Sequence, residues 1–339
     1  MKLYGGIDLH STNSVVTLLD EQDHTVYEKR LPNDLAMILS ELSAHERAVQ
    51  GLVVESTFNW YWLVDGLMEA GYRVHLANTS AMQQYGGLKH SDDHSDARWL
   101  AHMLRLGILP EGYIYPKEGR AVRDLLRKRS HLVRQRTANL LSFQNLMWRN
   151  TAGSMSAGAI KRLDEAQVEE LVSSHELALA MKSTLAVIRC LGEQVKILEA
   201  EVVSHVKREP AFKSLLTVPG IGQVLALTIT LEAGDMARFK TVGHFASYCR
   251  CVGTTRLSNG KKKGEGNRKN GNKYLGWAFV EGAQFARRYC PQVRRFHDRK
   301  KARTNAAVAI KSVAHKLARA SYHVMRNHVA FDVSKAFAG

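Results

Sequence analysis

Leu3-Tyr4-Gly5-Gly6-Ile7-Asp8 is a short, almost wholly apolar run that ends on an acid, and Leu52-Val53-Val54-Glu55 repeats the pattern. Val53 to Glu55 reads as a buried strand, because it is continuously apolar rather than alternating. Leu3 to Leu9, Ser14 to Leu19 and Thr25 to Leu31 are β-prone stretches split by turn residues such as Asp20-Glu21-Gln22-Asp23. Pro32-Asn33-Asp34 then opens a helix over about Leu35 to His45. Trp60 to Ala70 is a second helix, stopped at Gly71, and Arg73 to Leu76 a further short strand. Strands followed by a strand–helix–strand alternation predict an α/β mixed sheet covered by helices.

Beyond Pro110 and Pro116 the character changes. Residues 118–150 are long, helical and basic, with Arg120, Arg123, Arg127, Lys128, Arg129, Arg134 and Arg136. Residues 159–207 form a second helical region, in which Leu185, Ile188, Leu191, Val195, Leu198 and Val202 recur at spacings of three or four. That stripe fits an antiparallel helical hairpin or an intermolecular coiled coil, and equally a helix packed on its own domain. From Leu215 the chain reads Leu-Leu-Thr-Val-Pro219-Gly220-Ile221-Gly222, a helix, a turn and a second helix through Thr230. This predicts a helix-hairpin-helix, in which Gly220 and Gly222 let backbone N–H groups approach a phosphate. The expected division is therefore three-part: 1–117 α/β, 118–207 helical, and 208–339 mainly helical.

Of the 339 residues, 48 are Lys or Arg and 32 Asp or Glu, a net charge of +16 with histidine neutral. Such a charge favours polyanionic partners through steering and counterion release. The stretch from Leu257 to Lys273 is rich in Gly, Asn and Lys, and by composition reads as a flexible basic loop. Lys261, Lys262, Lys263, Arg268, Lys269 and Lys273 give it an evident use on phosphate, with Arg127 and Arg134 as further candidates. Cys190, Cys249, Cys251 and Cys290 form no C-x-x-C pair and no zinc spacing, so they read as reduced thiols of a cytoplasmic protein. No apolar signal segment follows Met1-Lys2, and no stretch of about 18 apolar residues could span a membrane.

The chemistry lies in four acids. Asp8 and Glu55 end their strands, and Asp93 and Asp96 stand one helical turn apart ahead of Ala97. Clustered carboxylates need a cation, and hard oxygen ligands of this kind suit Mg²⁺, which keeps its other positions for water and phosphate. At one edge of a ribonuclease-H-like sheet they could hold one or two such ions for phosphoryl transfer. Asp92 is a rival for Asp93, since Asp92 and Asp96 are also on one face. His10, His90 and His94 fit no zinc motif and read as solvent-facing or phosphate-contacting.

Taken together, these segments resemble the DEDD transposases of the insertion-sequence-110 family, the bridge-RNA-guided recombinases. The resemblance is carried by Gly6-Ile7-Asp8, Val54-Glu55 and Lys89 through Asp93-His94-Ser95-Asp96-Ala97. In the C-terminal part it is carried by Leu216 to Gly222, Phe245 to Tyr248, Ser258-Asn259-Gly260 and Lys269 to Leu275. The chain departs from the family at Val252-Gly253-Thr254-Thr255, where a Gly-Leu-x-Pro segment is common. The resemblance implies a RuvC-like N-terminal domain, a coiled-coil middle and a C-terminal transposase domain. It implies Ser258 as a nucleophile forming a phosphoserine–DNA link, with the helical Ser247 a weaker candidate. It also implies donor and target DNA, a guiding bridge RNA, a dimer or tetramer with sites shared between subunits, and a nucleoid-associated setting in a bacterium or archaeon. Three other readings stand beside it: an unguided DNA invertase of the same superfamily, a hydrolytic RuvC-like junction nuclease, and a non-catalytic nucleic-acid-binding protein.

Overall fold

The computed structural model describes residues 1–82, 93–253, 255–265 and 270–337. The chain divides into two compact units, Met1–Lys117 with Thr254–Asn270, and Glu118–Gly253 with Gly271–Gly339.

The first unit is built on a five-stranded mixed sheet. In chain order its elements are β1 (Leu3–Leu9), β2 (Asn13–Leu19), β3 (Thr25–Pro32), α1 (Leu35–Ser43), β4 (Val49–Glu55), α2 (Tyr61–Glu69), β5 (Val74–Ala77), α3 (Thr79–Met82) and α4 (Asp93–Arg105). The strand order is β3-β2-β1-β4-β5. β1, β2 and β3 form an antiparallel meander, while β1, β4 and β5 run parallel. The mixed α/β fold read from the sequence is thus present, with β1 at the centre.

Strand alternation sorts the sheet into two faces. Leu3, Ile7, Leu9, Leu52 and Val54 pack with Ile38 and Leu42 of α1 and Leu63 and Leu67 of α2. On the other face Val53 and Ala77 pack with Leu100 and Met103 of α4. Asp34 caps α1, its side chain accepting from the Met37 amide, which matches the start read at Pro32-Asn33-Asp34. α4 lies against β1 with unusual closeness. A Cβ at Gly6 would stand 1.9 Å from the Ala97 carbonyl oxygen and 2.7 Å from the Ala101 nitrogen. Only a residue without a side chain lets the helix backbone rest on the strand there, and Ala97 and Ala101 complete the fit with full burial.

The second unit is helical: α5 (Lys117–Thr151, its first residue in the first unit), α6 (Ala157–Ile160), α7 (Glu165–Glu170), α8 (His175–Val206), α9 (Pro210–Leu215), α10 (Gln223–Ala233), α11 (Val242–Tyr248), α12 (Lys273–Tyr289), α13 (Pro291–Arg303), α14 (Ala306–Asn327) and α15 (Val333–Phe337). Its core is centred on α10, buried continuously from Leu225 to Ala233 and surrounded by α9, α11, α12 and α14. Leu126 of α5 meets Val202 and Val206 of α8 in that core. Leu140, Phe143 and Met147 meet Met181, Leu185 and Ile188 in another. Arg129 pairs with Glu199 between them at 2.8 Å. The two long helices therefore pair antiparallel within the chain.

The segment expected to be a flexible loop from Leu257 contains a hairpin: β6 (Thr255–Ser258) and β7 (Lys261–Glu265), antiparallel. Asn259 and Gly260 turn it with φ of +49° and +69°, the pattern of a type I′ turn, which Asn-Gly favours whatever the strand composition. The composition pointed to a loop because the stretch is rich in Gly, Asn and Lys.

Two expectations follow from the packing. Gly6→Ala forces α4 off β1 and lowers stability by about 3 kcal/mol, to be read as a lower urea midpoint at unchanged slope. Burial pushes the Cys251 thiol up to about 12 and the Cys249 thiol well above its ordinary range, whereas Cys190 is exposed. A thiol-reactive dye at pH 8 should label Cys190 promptly, and Cys249 and Cys251 only after unfolding, because thiolate is the reacting form.

Candidate metal centre and nucleic-acid interface

Asp8 sits near the C-terminal end of the central strand, on the face that α4 covers. It is 2% exposed, and its Oδ2 accepts no hydrogen bond. A carboxylate buried in this way is costly unless a cation neutralises it. His10 lies two residues on and so on the same face, with Nε2 3.3 Å from Asp8 Oδ2 and 3.3 Å from Asp93 Oδ1. Ligand atoms of Asp8, His10 and Asp93 all fall within 4.8 Å of one another, the one such group among the described residues.

The register explains the convergence. Ile7 lies beside Val54 in the parallel pair of β1 and β4, so Asp8 and Glu55 end adjacent strands on one face. α4 reaches that face where it rests on Gly6, which brings its first turn, with Asp93 and Asp96, over the strand end. Asp8 and Asp93 are therefore in the tight group, while Glu55 stands on the neighbouring strand end and Asp96 one turn along the helix. Asp92, the rival of Asp93, lies outside the described residues, as do His90, Lys89, Arg268 and Lys269.

Asp93 also meets the meander. Arg30 on β3 donates from Nη2 to Asp93 Oδ2 at 2.7 Å and from Nη1 to Asn13 Oδ1 at 2.9 Å. Asp8, Val15 and Arg30 form one cross-strand row. Arg30, and to a lesser degree His10, hold the Asp93 carboxyl below its ordinary range. Because that carboxyl is depressed in the folded state, the stabilisation is present at neutral pH and lost as the pH falls through it. Glu28, two residues before Arg30, accepts from Arg98 at 3.0 Å and meets His94 Nδ1 at 3.1 Å. His94 is thus engaged by the sheet. His10, read from the sequence as solvent-facing or phosphate-contacting, instead stands in the acid cluster, two residues beyond Asp8.

The donor set fits a divalent cation: a buried carboxylate oxygen with no hydrogen bond, a second carboxylate and an imidazole, with two further acids close by in the fold. Carboxylates suit Mg²⁺ and Mn²⁺, and the imidazole extends the range toward Mn²⁺.

Ser258 is the last residue of β6, opposite Lys261 across the turn. It is exposed, as are Lys261 and Lys263. Lys262 lies on β7, and Lys273 is exposed at the start of α12. Arg134 is exposed on α5. Arg127 is not available to phosphate in this way, since its Nε and Nη2 donate to the two oxygens of Glu232 at 2.6 and 2.7 Å. A helical pattern could not distinguish it from Arg134, because its acidic partner lies far along the chain on α10. Gly220 also has an internal use. Its φ is +82°, and a Cβ there would stand 2.2 Å from the Gly282 carbonyl oxygen, so it seats the turn on α12. Gly222 opens α10 with nothing within 4 Å of a would-be Cβ.

Two family models match the chain. One for DEDD transposases of the IS110 type, described as "Transposase", covers residues 5–149. The other, "Transposase IS116/IS110/IS902 family", covers residues 213–298. A "Probable family 20 transposase" of Pseudomonas aeruginosa is 28% identical over 240 residues, 68% of this chain and 69% of the relative. The "Transposase for insertion sequence element IS1111A" of Coxiella burnetii is 22% identical over 289 residues, 82% of this chain and 76% of the relative. The "Insertion element IS110 uncharacterized 43.6 kDa protein" of Streptomyces coelicolor is 29% identical over 141 residues, 42% of this chain but 35% of the relative.

Replacing Arg30 by Gln should raise the Asp93 carboxyl toward its ordinary range, as followed by carbon NMR of the side chain in metal-free protein. An unchanged titration would remove Arg30 as the cause.

Proposed function

Starting from the chain's membership of the IS110 family of transposases, we propose that it is a DNA recombinase combining a metal-dependent acidic site with a serine nucleophile. The observation that carries this reading is the buried Asp8 oxygen, grouped with His10 and Asp93 on the central strand of the mixed sheet. That sheet is consistent with a RuvC-like domain.

Asp8, Glu55, Asp93 and Asp96 would hold Mg²⁺, with His10 beside them. When bound, the ion supplies positive charge to the phosphate oxygens and to the attacking and leaving oxygens. The residues of the chain do the rest. Ser258 Oγ forms a bond to phosphorus while the phosphorus–oxygen bond to the departing strand breaks. The serine hydroxyl gives up its proton, and the departing oxygen takes one up. The ester so formed conserves the bond for rejoining. Ser258 suits this role because it stands exposed at a hairpin tip among lysines, in the same compact unit as the acids. Asn78 Nδ2 donates to Asn270 Oδ1 at 3.1 Å within that unit.

The substrate class, DNA, follows from the family. A bridge RNA that delegates sequence choice to base pairing fits a protein of charge +16. We also propose a homo-oligomer. Its support is the exposed apolar side chains on the paired long helices, Leu141 and Trp148 on α5 and Leu179, Val187 and Ile197 on α8, the surface on which a coiled coil between copies would form. The turn from α9 to α10 serves as the helix-hairpin-helix, with the open N-terminus at Gly222 toward phosphate. Among the described residues no helix is long and apolar enough to cross a membrane.

The test is a trapped adduct. Protein purified with the RNA it retains is incubated with Mg²⁺ and a plasmid carrying the sequences that flank its gene. A covalent protein–DNA adduct is expected with the natural chain and none with Ser258→Ala. Asp8→Asn should slow its formation at least about a hundredfold. Strand cleavage with no adduct would replace the serine by water, and full activity of Asp8→Asn would remove the metal site.

A further inference from the structure

We infer that His10 is itself a ligand of the divalent ion, held for that task by Asn33 and Asn59, and that this nitrogen makes the centre prefer Mn²⁺ to Mg²⁺. The inference rests on the metal-centre reading given above and adds one donor to the four acids.

The imidazole stands where a ligand belongs. Its Nε2 is buried, lies 3.3 Å from Asp8 Oδ2 and 3.3 Å from Asp93 Oδ1, and is hydrogen-bonded to neither. Asp8 Oδ2 is likewise buried without a hydrogen bond. An imidazolium that served only to neutralise the two acids would donate its N–H to one of them. Ligand atoms set at right angles around an ion, each about 2.1 Å from it, stand about 3.0 Å apart. The spacing on both sides of Nε2 is close to that.

The main chain of His10 is fixed from three directions. β1 ends at Leu9, so the strand ladder no longer sets its course. The His10 amide donates to the Asn13 carbonyl at 2.9 Å. Its carbonyl accepts from Asn33 Nδ2 at 3.0 Å and from Asn59 Nδ2 at 2.9 Å. Asn33 follows β3 and Asn59 lies beyond β4, so the two amides come from opposite sides of β1 in the sheet. Each amide is oriented in turn by a hydroxyl. Ser14 Oγ donates to Asn33 Oδ1 at 2.7 Å, and Thr57 Oγ1 donates to Asn59 Oδ1 at 2.9 Å. Ending a strand does not require two oriented side chains on one carbonyl. Their effect is to fix where the ring is carried, as outer partners do for metal ligands.

The chemistry of the added nitrogen sets the ion. Mg²⁺ is bound through oxygen and keeps several waters. Mn²⁺ shares its liking for carboxylates, and as a transition-metal ion also accepts an imidazole.

The experiment uses the full chain freed of metal with a chelator. Mn²⁺ binding is titrated by EPR, Mg²⁺ by its displacement of Mn²⁺, and the bound Mn²⁺ is probed by pulsed EPR for directly coordinated nitrogen. The natural protein should show a nitrogen coupling, which changes when its histidine rings carry the heavy nitrogen isotope. His10→Asn should abolish the coupling and weaken Mn²⁺ at least about tenfold, no less than the loss of an outer partner. Its Mg²⁺ affinity should stay within about threefold, because carboxylates and water make up that shell. Asn59→Ala should keep the coupling and weaken Mn²⁺ about tenfold. Bound Mn²⁺ without a nitrogen coupling, or a coupling that persists in His10→Asn, overturns the inference and leaves the acids as the site. Equal loss of both ions in His10→Asn overturns it too, as the mark of a general disturbance, and an unchanged Asn59→Ala removes the positioning role. If the natural chain binds neither ion, or Asp8→Asn binds both as well as the natural chain, the metal-centre reading itself fails and the ligand falls with it.

Discussion

The contact on which the first unit depends is that of the α4 backbone with β1 at Gly6. A helix normally stands off a sheet by the thickness of two layers of side chains. Here the strand contributes none, and the helix contributes Ala97 and Ala101. That closeness lets a helix N-terminus, with Asp93 and Asp96 in its first turn, sit over the end of a strand carrying Asp8. The aligned N–H groups of the first turn favour negative charge there, which partly offsets the repulsion among the acids.

The remaining repulsion is managed from the meander. β3 is an edge strand, and it faces α4 with alternating charge: Glu28 meets Arg98 and His94, and Arg30 meets Asp93. Farther along, Asp23 accepts from His102 and Arg105. Exposed pairs such as these add little stability singly. Their effect is to fix the rotation of α4, and so which side chains its first turn presents to Asp8. Arg30 neutralises an acid that a divalent cation would otherwise neutralise, which connects the scaffold with the chemistry.

The second unit solves a different problem. The buried residues of α10 are apolar apart from Thr228, Thr230 and Glu232, and at Glu232 a charge is held by residues far apart in the chain. Such an arrangement contributes less to stability than to uniqueness of geometry. The long helices pack against each other along their length, yet leave apolar residues on the outer side.

Much of this was legible beforehand, for local reasons. The apolar runs ending at Asp8 and Glu55 and the helix stop at Gly71 follow from period and covalent geometry, so the mixed sheet could be read directly, as could Asp8 and Asp93, which the fold brings together. The Asn259-Gly260 turn was also written in the chain, but basic composition obscured the strands on either side. His10 could have been found from strand alternation. The partners of Arg127 and the packing use of Gly220 could not. They depend on α5 meeting α10 and on a turn meeting α12, contacts between segments far apart in sequence. Composition and periodicity determined which residues carry charge and which face the core. Only the tertiary structure decided which charges neutralise one another, because that depends on distances through space that no local pattern encodes.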